Sequence, residues 1–349
     1  MSLKLRFILS SSKLFIISNE SIFNYQGKFF CDNIDMKSTP EGLSNKFEVN
    51  IIARKSNKIK SHKINLKNVK IYKNKFSFLF GILDAARKDN SKYLIISISP
   101  FTMMACILLA LFKKKPNVYL RSDGYGEYRS IFGFLGPIIY HIMFFIVVRI
   151  SHLISCREYI LRGRKGNVVM PSQLTNKWLS NQKIPQLNKI KLLYVGRIRV
   201  EKGIFSLLKI LKKIDENITL SIVGEEKISN KKISQENVNV YEIENNEDNL
   251  IKFYDDHNIF ILPSVTEGHP MSLLESLSRL RPVIVFKEIE HVVGDKKGVF
   301  VAHRNKKSLL QNIQYIQSNY ENIQRDMKKN KLPLKQNFLK QIQKSILNN

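Results

Sequence analysis

The sequence predicts an α/β protein with two domains, each built around a mainly parallel sheet. Short apolar runs alternate with amphipathic stretches along the chain, which is the pattern of strands joined by helices in such a sheet. The chain has 349 residues, enough for two domains with separate cores, and its 44% hydrophobic content is typical of a globular protein. The polar stretch 171–188 is predicted to link the two domains.

The first half is predicted to start with strands at 4–9 and 14–18, followed by a long loop with room for one helix over 19–44. The later strands of this half are predicted at 47–53, 93–97, 118–120, 152–155 and 167–170, with helices at 76–87 and 102–112. In the second half, strands are predicted at 192–195, 219–223, 238–242, 259–262 and 283–286, and helices at 204–214, 247–256 and 306–320.

One apolar segment, Ile131 to Val148, runs for eighteen residues without a formal charge and so reaches the length of a membrane-spanning helix. We do not expect it to span, because Gly133, Gly136 and Pro137 interrupt it and because it lies between two strands of one predicted sheet. A helix buried in the core and a helix partly sunk in a membrane surface both remain open. His141 within the segment is interpreted as a packed core residue.

The net charge of +28 is unevenly distributed, since residues 1–176 carry 28 Lys and Arg against 10 Asp and Glu, whereas residues 177–349 carry 29 against 19. A basic surface attracts anionic membranes, nucleic acids or phosphorylated substrates. Arg54 to Lys75 contains nine Lys or Arg and no acid, which fits either a solvated edge strand or a surface for lipid phosphates. Lys113 to Lys115 end a predicted helix, where the helix dipole alone also explains them.

The cysteines and the N-terminus favour a cytoplasmic location. Cys31, Cys106 and Cys156 are far apart and odd in number, and they form no metal-binding spacing or disulfide framework. The apolar run at the N-terminus is broken by Ser10 to Ser12 and Lys13, so a signal peptide is not expected.

The stretch from Ile259 to Phe286 is predicted to form a strand, a loop, a helix and a second strand. Its loop would lie at the carboxyl end of a parallel strand, which is where open α/β sheets bind ligands. The loop also leads into a helix N-terminus, which favours anions, and Gly268 allows close approach of the backbone to a ligand. Ser272 and Glu275 have the spacing of a capping box at the start of this helix.

Three motifs in order resemble the retaining glycosyltransferases of family 4. The segment EGHPMSLLE places Glu267 and Glu275 at the spacing of that family's two glutamates. Upstream, 195–197 (VGR) and 201–203 (EKG) are similar to its glycine–arginine and lysine–glycine element, and 221–224 (SIVG) to its middle strand and glycine turn. The resemblance covers about a hundred residues.

The resemblance implies the GT-B fold, in which two Rossmann-like domains face a cleft. Residues 1–171 would form the acceptor-side domain and residues 172–330 the nucleotide-sugar-binding domain. Residues 331–349 would form a helix that crosses back to the first domain, in agreement with an apolar stripe made of Leu334, Phe338, Ile342 and Ile346.

The resemblance also implies the roles of individual residues. Arg197 and Lys202 would bind the diphosphate, Glu267 would support charge at the reacting sugar, and Glu275 would bind the ribose hydroxyls. The remaining donor-binding residues would be Gly196, Gly203, Gly268, His269, Pro270, Met271, Ser272 and Leu273.

In the first domain the resemblance is weaker. Many members carry a histidine after the strand that corresponds to 118–120, whereas this chain has Arg121, Ser122 and Asp123 there. We therefore select Asp123 as the catalytic contact of this domain, with Gly124 beside it and Gly27 as a further acceptor-side residue.

These features together predict a retaining, membrane-peripheral glycosyltransferase on the cytoplasmic face of the plasma membrane. Its donor would be a UDP-, GDP- or other nucleotide sugar, and its acceptor a lipid-linked glycan or lipid in bacterial surface polysaccharide assembly. No metal or other cofactor is expected, because the chain contains no D-x-D motif. The alternatives are a nucleotide-sugar epimerase of the same fold and a basic nucleic-acid-binding protein, although nucleic acid is not expected as a partner because no motif for it occurs.

Overall fold

The computed structural model describes residues 12–214, 218–225 and 235–348, so the predicted strand at 4–9 lies outside the described residues. The chain divides into two compact units. The first unit comprises the chain up to Met170 and again from Asn337 onward, and the second comprises Pro171–Gln336. The first predicted domain ends at residue 171, one residue after the boundary between the two units in the structure. The chain returns to the first unit at Asn337, six residues later than the predicted start at residue 331.

The first unit is built on a sheet whose described strands number nine. These strands are β1 (Lys13–Tyr25), β2 (Lys28–Cys31), β3 (Glu48–Ser56), β4 (His62–Ile64), β5 (Val69–Tyr72), β6 (Ser91–Ile96), β7 (Asn117–Leu120), β8 (His152–Ser155) and β9 (Gly166–Val168). Seven of them run parallel in the order β5–β3–β1–β6–β7–β8–β9. Of the other two, β2 pairs antiparallel with the last residues of β1, and β4 pairs antiparallel with β2.

The first four helices of the first unit begin at capping residues, whereas the fifth begins without a side-chain cap. These helices are α1 (Ile34–Leu43), α2 (Lys75–Ala86), α3 (Pro100–Leu111), α4 (Gly124–Phe132) and α5 (Gly136–Ile150). Asn74 with Ser77 forms a capping box at the start of α2, and Ser99 with Thr102 forms one at the start of α3. These caps satisfy backbone N–H groups that have no acceptor inside the helix.

The predicted loop over 19–44 contains the one helix that the sequence allowed, but its first part is wrong, because it forms strands. Strand β1 continues to Tyr25 and turns through Gln26 and Gly27, both in the left-handed region, into β2, and α1 follows. The polar residues that suggested a loop are used inside this structure. The carboxylate of Glu20 accepts backbone N–H groups of Asp32 and Asn33 at 3.2 and 2.9 Å, and this ties the strand to the start of α1.

The apolar segment around Ile131 to Val148 is a helical hairpin rather than one helix. By length and composition alone, 124–150 is the one helical segment in the described part of the chain that reaches the requirement for crossing a membrane. It breaks at Gly133, which has φ +61°, and a 3₁₀ turn over Gly133–Leu135 joins α4 to α5. A Cβ on Gly136 would lie 2.0 Å from the carbonyl oxygen of Tyr128, so the two helices cross with their backbones almost in contact.

The structure does not bury this hairpin as a core helix would be buried. Its inner face packs into the core through Tyr140, Phe144 and Val147. Only 28% of its most apolar eighteen-residue stretch is buried, however. The interpretation of His141 as a core residue is also wrong, because its side chain is exposed and its Nδ1 lies 2.9 Å from the hydroxyl of Tyr125. Sequence periodicity did not reveal this, because both faces of the segment are apolar.

The second unit has a sheet of six parallel strands among the residues that the structure describes. They are β10 (Ile190–Val195), β11 (Ile218–Glu225), β12 (Val238–Glu242), β13 (Ile259–Leu262), β14 (Val283–Phe286) and β15 (Val299–Ala302). Their order β12–β11–β10–β13–β14–β15 is that of a dinucleotide-binding fold. The direction of winding reverses between β10 and β13, whose carboxyl ends lie at the same edge of the sheet.

The described part of this unit contains six α-helices. They are α6 (Asn176–Leu179), α7 (Ile204–Leu211), α8 (Glu247–Asp256), α9 (Met271–Ser278), α10 (Lys306–Ser318) and α11 (Tyr320–Met327). The predicted helix at 247–256 and the predicted strands at 238–242, 259–262 and 283–286 are confirmed to the residue. Strand β15 and helix α11 were not predicted.

Two fully buried arginines follow α9 and join the linker to the sheet. Arg279 donates to both carboxylate oxygens of Asp255 at 2.9 and 2.8 Å and to the carbonyl oxygens of Trp178, Ser180 and Asn181. Arg281 donates to the carbonyls of Tyr254, Asp255 and Arg279. A buried guanidinium is costly unless its N–H donors are used, and here these carboxylate and carbonyl oxygens accept them.

The C-terminal helix α12 (Lys335–Leu347) returns to the first unit. Its buried residues Phe338, Ile342 and Ile346 join the core formed by one face of the first sheet, where the rings of Phe338 and Tyr119 are 6.1 Å apart. Phe338, Ile342 and Ile346 of the predicted apolar stripe are therefore confirmed as a packing face, whereas Leu334 precedes α12 and packs against the core of the second unit. Both units are Rossmann-like domains built on parallel sheets.

Candidate functional site

The candidate site of the second unit begins with two glycines at the ends of β10 and β11. The backbone N–H of Gly196 donates to the carbonyl of Val223 at 2.9 Å. A Cβ added to Gly224 would lie 2.1 Å from the carbonyl oxygen of Gly196, and both glycines have positive φ. Only glycine lets these two strand ends approach so closely.

A second glycine contact joins the turn after β10 to the end of β13. Gly203 has φ +69°, and a Cβ on it would lie 1.8 Å from the carbonyl oxygen of Pro263. The backbone N–H of Val265 donates to the carbonyl of Glu201 at 2.9 Å in the same region. The lysine–glycine motif and the loop that carries the first glutamate are thus held in backbone contact across the point where the winding reverses.

This contact brings together two predicted site residues, Lys202 and Glu267. The Lys202 Nζ lies 2.6 Å from Glu267 Oε1, and both side chains are largely buried. The hydroxyl of Ser264 donates to the same carboxylate oxygen at 2.7 Å. Arg197 lies two residues after the end of β10, and its side chain is exposed. Its carbonyl accepts a hydrogen bond from the hydroxyl of the buried Tyr194 at 2.9 Å.

Arg304 is a residue of this site that sequence reasoning missed. Its guanidinium donates to the Ser206 hydroxyl at 2.7 Å, to the carbonyls of Pro263 and Ser264 at 3.0 and 3.3 Å, and to the carboxylate of Glu288 at 2.7 Å. It thereby braces the end of β13 against α7. Because Arg304 follows β15 and belongs to no motif quoted above, nothing in the sequence pattern indicated it.

The second glutamate of the motif, Glu275, lies on α9 and faces a buried tyrosine. The Tyr254 hydroxyl donates to Glu275 Oε2 at 2.8 Å. Burial raises the pKa of Glu275 to about 7, although the hydrogen bond from Tyr254 opposes the shift. The predicted capping box is wrong, because α9 starts at Met271 with Pro270 as its N-cap and without a side-chain cap. Ser272 therefore lies inside the first turn of the helix.

The loop between β13 and α9 is anchored by two histidines. Nε2 of His269 lies 2.8 Å from the carbonyl oxygen of Pro171, and Nε2 of His291 lies 2.7 Å from the carbonyl oxygen of Glu267. Gly268 lies between these anchors. The first turn of α9, which contains Met271, Ser272 and Leu273, leaves backbone N–H groups without an acceptor in the helix.

In the first unit, Asp123 and Gly124 follow β7 and start α4, where each has a local role. Asp123 is the N-cap of α4, and its carboxylate also lies 3.4 Å from the guanidinium of Arg162. A Cβ on Gly124 would lie 2.0 Å from the ring of Tyr140, so a glycine is needed for the helical hairpin to close. Gly124 also lines a shallow pocket with Ser97 and Arg121.

Gly27 lies apart from these residues. It occupies the turn between β1 and β2 with φ +75°, and no atom lies within 4 Å of a Cβ placed on it. The turn alone explains the positive φ of this glycine.

The chemistry of the second-unit site follows from its position. Two cations, Arg197 and Lys202, and the N-terminus of α9 surround the edge where open α/β sheets bind ligands. Fixed cations and backbone N–H groups stabilise phosphate charge, and the carboxylates of Glu267 and Glu275 accept hydroxyl hydrogens. The arrangement suits a ligand that carries both phosphate and sugar hydroxyl groups.

The fold and the site together define a protein with two Rossmann-like domains and a site suited to phosphate and sugar groups. Comparison with known proteins shows to which family the second domain belongs. Residues 176–332 match the family Glycosyl transferases group 1. The second unit therefore carries a glycosyl transferases group 1 domain, and the chain as a whole has the GT-B fold.

A protein relative and two solved structures illustrate this likeness. MJ1059 of Methanocaldococcus jannaschii, an uncharacterized glycosyltransferase, is 33% identical over 99 residues, which are 26% of this chain and 24% of the relative. The Anabaena protein HepE in complex with UDP and glucose is 11% identical with a TM-score of 0.66, over 96% of this chain and 99% of that chain. The lipopolysaccharide outer core galactosyltransferase WaaB is 12% identical with a TM-score of 0.64 over the same shares.

The matched segment spans about a quarter of the length of MJ1059, and the identities to the solved structures are low. These comparisons therefore concern the fold and the second-unit domain.

We predict that Gly203→Ala destabilises the second unit strongly. The added methyl group must displace the Pro263 carbonyl in addition to adopting a positive φ, which alone costs about 1 kcal/mol. Gly294→Ala is the matched control, because Gly294 has φ +56° and the nearest atom to its Cβ is the flexible end of Lys296 at 3.4 Å. Thermal unfolding should show a clearly larger loss for Gly203→Ala. Equal losses for the two variants would contradict the proposed importance of the backbone contact.

We also predict that Glu275 makes the ligand-free protein less stable as the pH rises. Its folded pKa of about 7 lies above the ordinary value of 4.5, so the folded state holds a proton that the unfolded state releases. This contribution is fully present below pH 4.5 and is lost as the pH rises through 7. Glu275→Gln should therefore gain stability relative to wild type between pH 5 and pH 8, on the order of 2 kcal/mol. Parallel curves of unfolding midpoint against pH for the two proteins would refute this prediction.

Proposed function

We propose that this chain is a retaining glycosyltransferase of family 4 that uses a nucleotide-diphosphate sugar as donor. The single observation that supports it most is the pairing of Lys202 with Glu267 at the reversal point of the sheet, within a glycosyl transferases group 1 domain. The motifs that suggested the family in the sequence lie at this one edge.

The proposed mechanism assigns separate tasks to the four motif residues. As the sugar leaves, negative charge grows on the diphosphate, and Arg197 and Lys202 stabilise it without a metal. Glu267 supports the positive charge that develops at the anomeric carbon, and it already holds the Lys202 ammonium and the Ser264 hydroxyl in place. Glu275, oriented by Tyr254, binds the ribose hydroxyls.

We further propose a lipid-linked glycan or lipid as acceptor, in the assembly of a bacterial surface polysaccharide such as O-antigen, capsule or exopolysaccharide. The support comes from two structural neighbours, since WaaB is a lipopolysaccharide galactosyltransferase and HepE was solved with UDP and glucose. The basic first half and its exposed apolar hairpin fit an acceptor held at a membrane.

The proposed location is the inner face of the plasma membrane, with the basic first unit towards anionic lipid. Each cation near such a surface contributes on the order of 1 kcal/mol. We expect more binding to anionic than to neutral vesicles at low salt, measured by co-sedimentation, and a decrease of this preference as salt is added. Equal binding to both vesicle types would remove electrostatic docking from the proposal.

Steady-state kinetics on four variants test the proposed mechanism. Arg197→Ala and Lys202→Ala should each lower turnover strongly, by about 2–4 kcal/mol of barrier, because they remove charge stabilisation that is greatest in the transition state. Glu267→Gln should lower turnover with a smaller loss of donor affinity. Glu275→Gln should mainly weaken donor binding, because the ribose does not change during the reaction.

Circular dichroism should confirm that each variant is folded, and product analysis separates the alternatives. Four folded variants with wild-type turnover and donor affinity would show that the motif match is accidental. An altered nucleotide sugar formed without any acceptor would instead identify an epimerase. Binding of nucleic acid that persists at high salt, without nucleotide-sugar binding, would favour the basic nucleic-acid-binding alternative.

A further inference from the structure

The helical hairpin α4–α5 carries an apolar surface that the fold of the first unit leaves uncovered. Phe134 at its turn is 82% exposed, and Ile138 and Ile142 on α5 are 56% and 57% exposed. We call these three residues and their exposed neighbours the hairpin surface; the neighbours are Ile131, Phe132, Leu135, Ile139 and Phe145. Exposed apolar clusters of this kind mark interaction sites in proteins that fold correctly.

The apolar surface continues onto the helices beside the hairpin. Helix α3 packs against both α5 and α2. At its end, Leu111 is exposed, and on α2 the same is true of Phe76 and Phe80. Three neighbouring helices on one side of the first sheet therefore each expose large apolar side chains.

The charges around this surface are almost all positive. No Asp, Glu, Lys or Arg occurs from residue 130 to residue 148, and Arg129 and Arg149 stand at the two ends of this stretch. The guanidinium of Arg149 lies over the ring of Phe145 at 3.2 Å, as a cation does when its stem covers apolar surface. Lys113 to Lys115 follow α3 directly, and Glu127 is the one acidic residue of α3, α4 and α5.

We propose that the hairpin surface inserts into the interfacial layer of an anionic lipid bilayer. An apolar face bordered by cations is the pattern of helices that lie in such an interface. The hairpin is too short to span, because α5 has fifteen residues and is about 22 Å long, whereas the hydrocarbon core is about 30 Å thick. The turn at Gly133 places Phe134 at the apex, where it enters first.

A bilayer explains the charges better than a second copy of the chain does. In a twofold dimer through the hairpin surface, the same patch of each copy would meet, and the cations around it would face their own counterparts. Like charges placed opposite each other oppose association, whereas anionic headgroups attract every one of them. This inference does not depend on the proposed sugar transfer, and it adds an inserted element to the electrostatic docking described above.

The test removes apolar side chains from the hairpin surface without touching the core. The variant is Phe134→Gln/Ile138→Gln/Ile142→Gln, whose positions are more than half exposed. The matched control is Ile59→Gln/Ile184→Gln/Leu347→Gln, which removes three other exposed apolar side chains. Circular dichroism and thermal unfolding verify that both variants fold.

Binding is measured by co-sedimentation with vesicles of phosphatidylglycerol and phosphatidylethanolamine in about 1 M NaCl, where the Debye length is only about 3 Å. Wild type and the control variant should still bind, whereas the hairpin variant should lose about tenfold or more of its bound-to-free ratio. Release of wild type by salt, or unchanged binding of the hairpin variant, would overturn the proposal.

Light scattering without lipid tests whether a second copy of the chain, rather than a bilayer, covers the hairpin surface. If wild type is a dimer and the hairpin variant is a monomer, the surface is assigned to a second copy of the chain, and the proposal is overturned. A monomeric wild type is the expected result. Nucleotide-sugar binding, measured separately by thermal shift without vesicles, keeps a failure of the proposed function distinct from a failure of this inference.

Discussion

The candidate site depends on one backbone contact, the approach of Gly203 to the carbonyl of Pro263. It leaves no room for a side chain, and it holds the turn after β10 against the end of β13. Lys202 and Glu267 are sixty-five positions apart in the chain, yet each is next to or near one partner of this contact, and their charged groups meet as a result. The contact converts two separate motifs into one site.

The residues around this contact restrict the positions of the loop after β13 and of the two glutamate side chains further. Arg304 donates to the carbonyls that follow β13, and the hydroxyl of Ser264 holds the Glu267 carboxylate from the other side. Glu275 accepts a hydrogen bond from the buried Tyr254, and its own burial raises its pKa in spite of that hydrogen bond. A preorganised site of this kind has little to rearrange when charge develops in a bound ligand.

The first unit combines a similar fold with a different surface. Its sheet follows the same winding order, but Asp123 and Gly124 at the corresponding edge serve mainly to start and close the helical hairpin. Glycines let α4 and α5 cross closely, and the apolar side chains of α5 point to both sides of this helix. One set enters the core and the other remains exposed.

The sequence by itself determined the alternation of strands and helices, the positions of several central strands and the motifs of the second unit. Strands such as Ile259–Leu262 are buried on both faces, so their apolar composition and the flanking proline identify them without tertiary information. The sequence did not determine that β1 continues through polar residues or that Pro270 rather than Ser272 precedes α9. It also did not determine that Arg304 braces the end of β13 or that Tyr254 binds Glu275. Those outcomes depend on partners that are distant in the chain, such as Asp32 for Glu20 and Pro263 for Arg304. The exposure of the hairpin was likewise decided by tertiary structure, because a helix that is apolar on every side has no periodicity to show which side the core will cover.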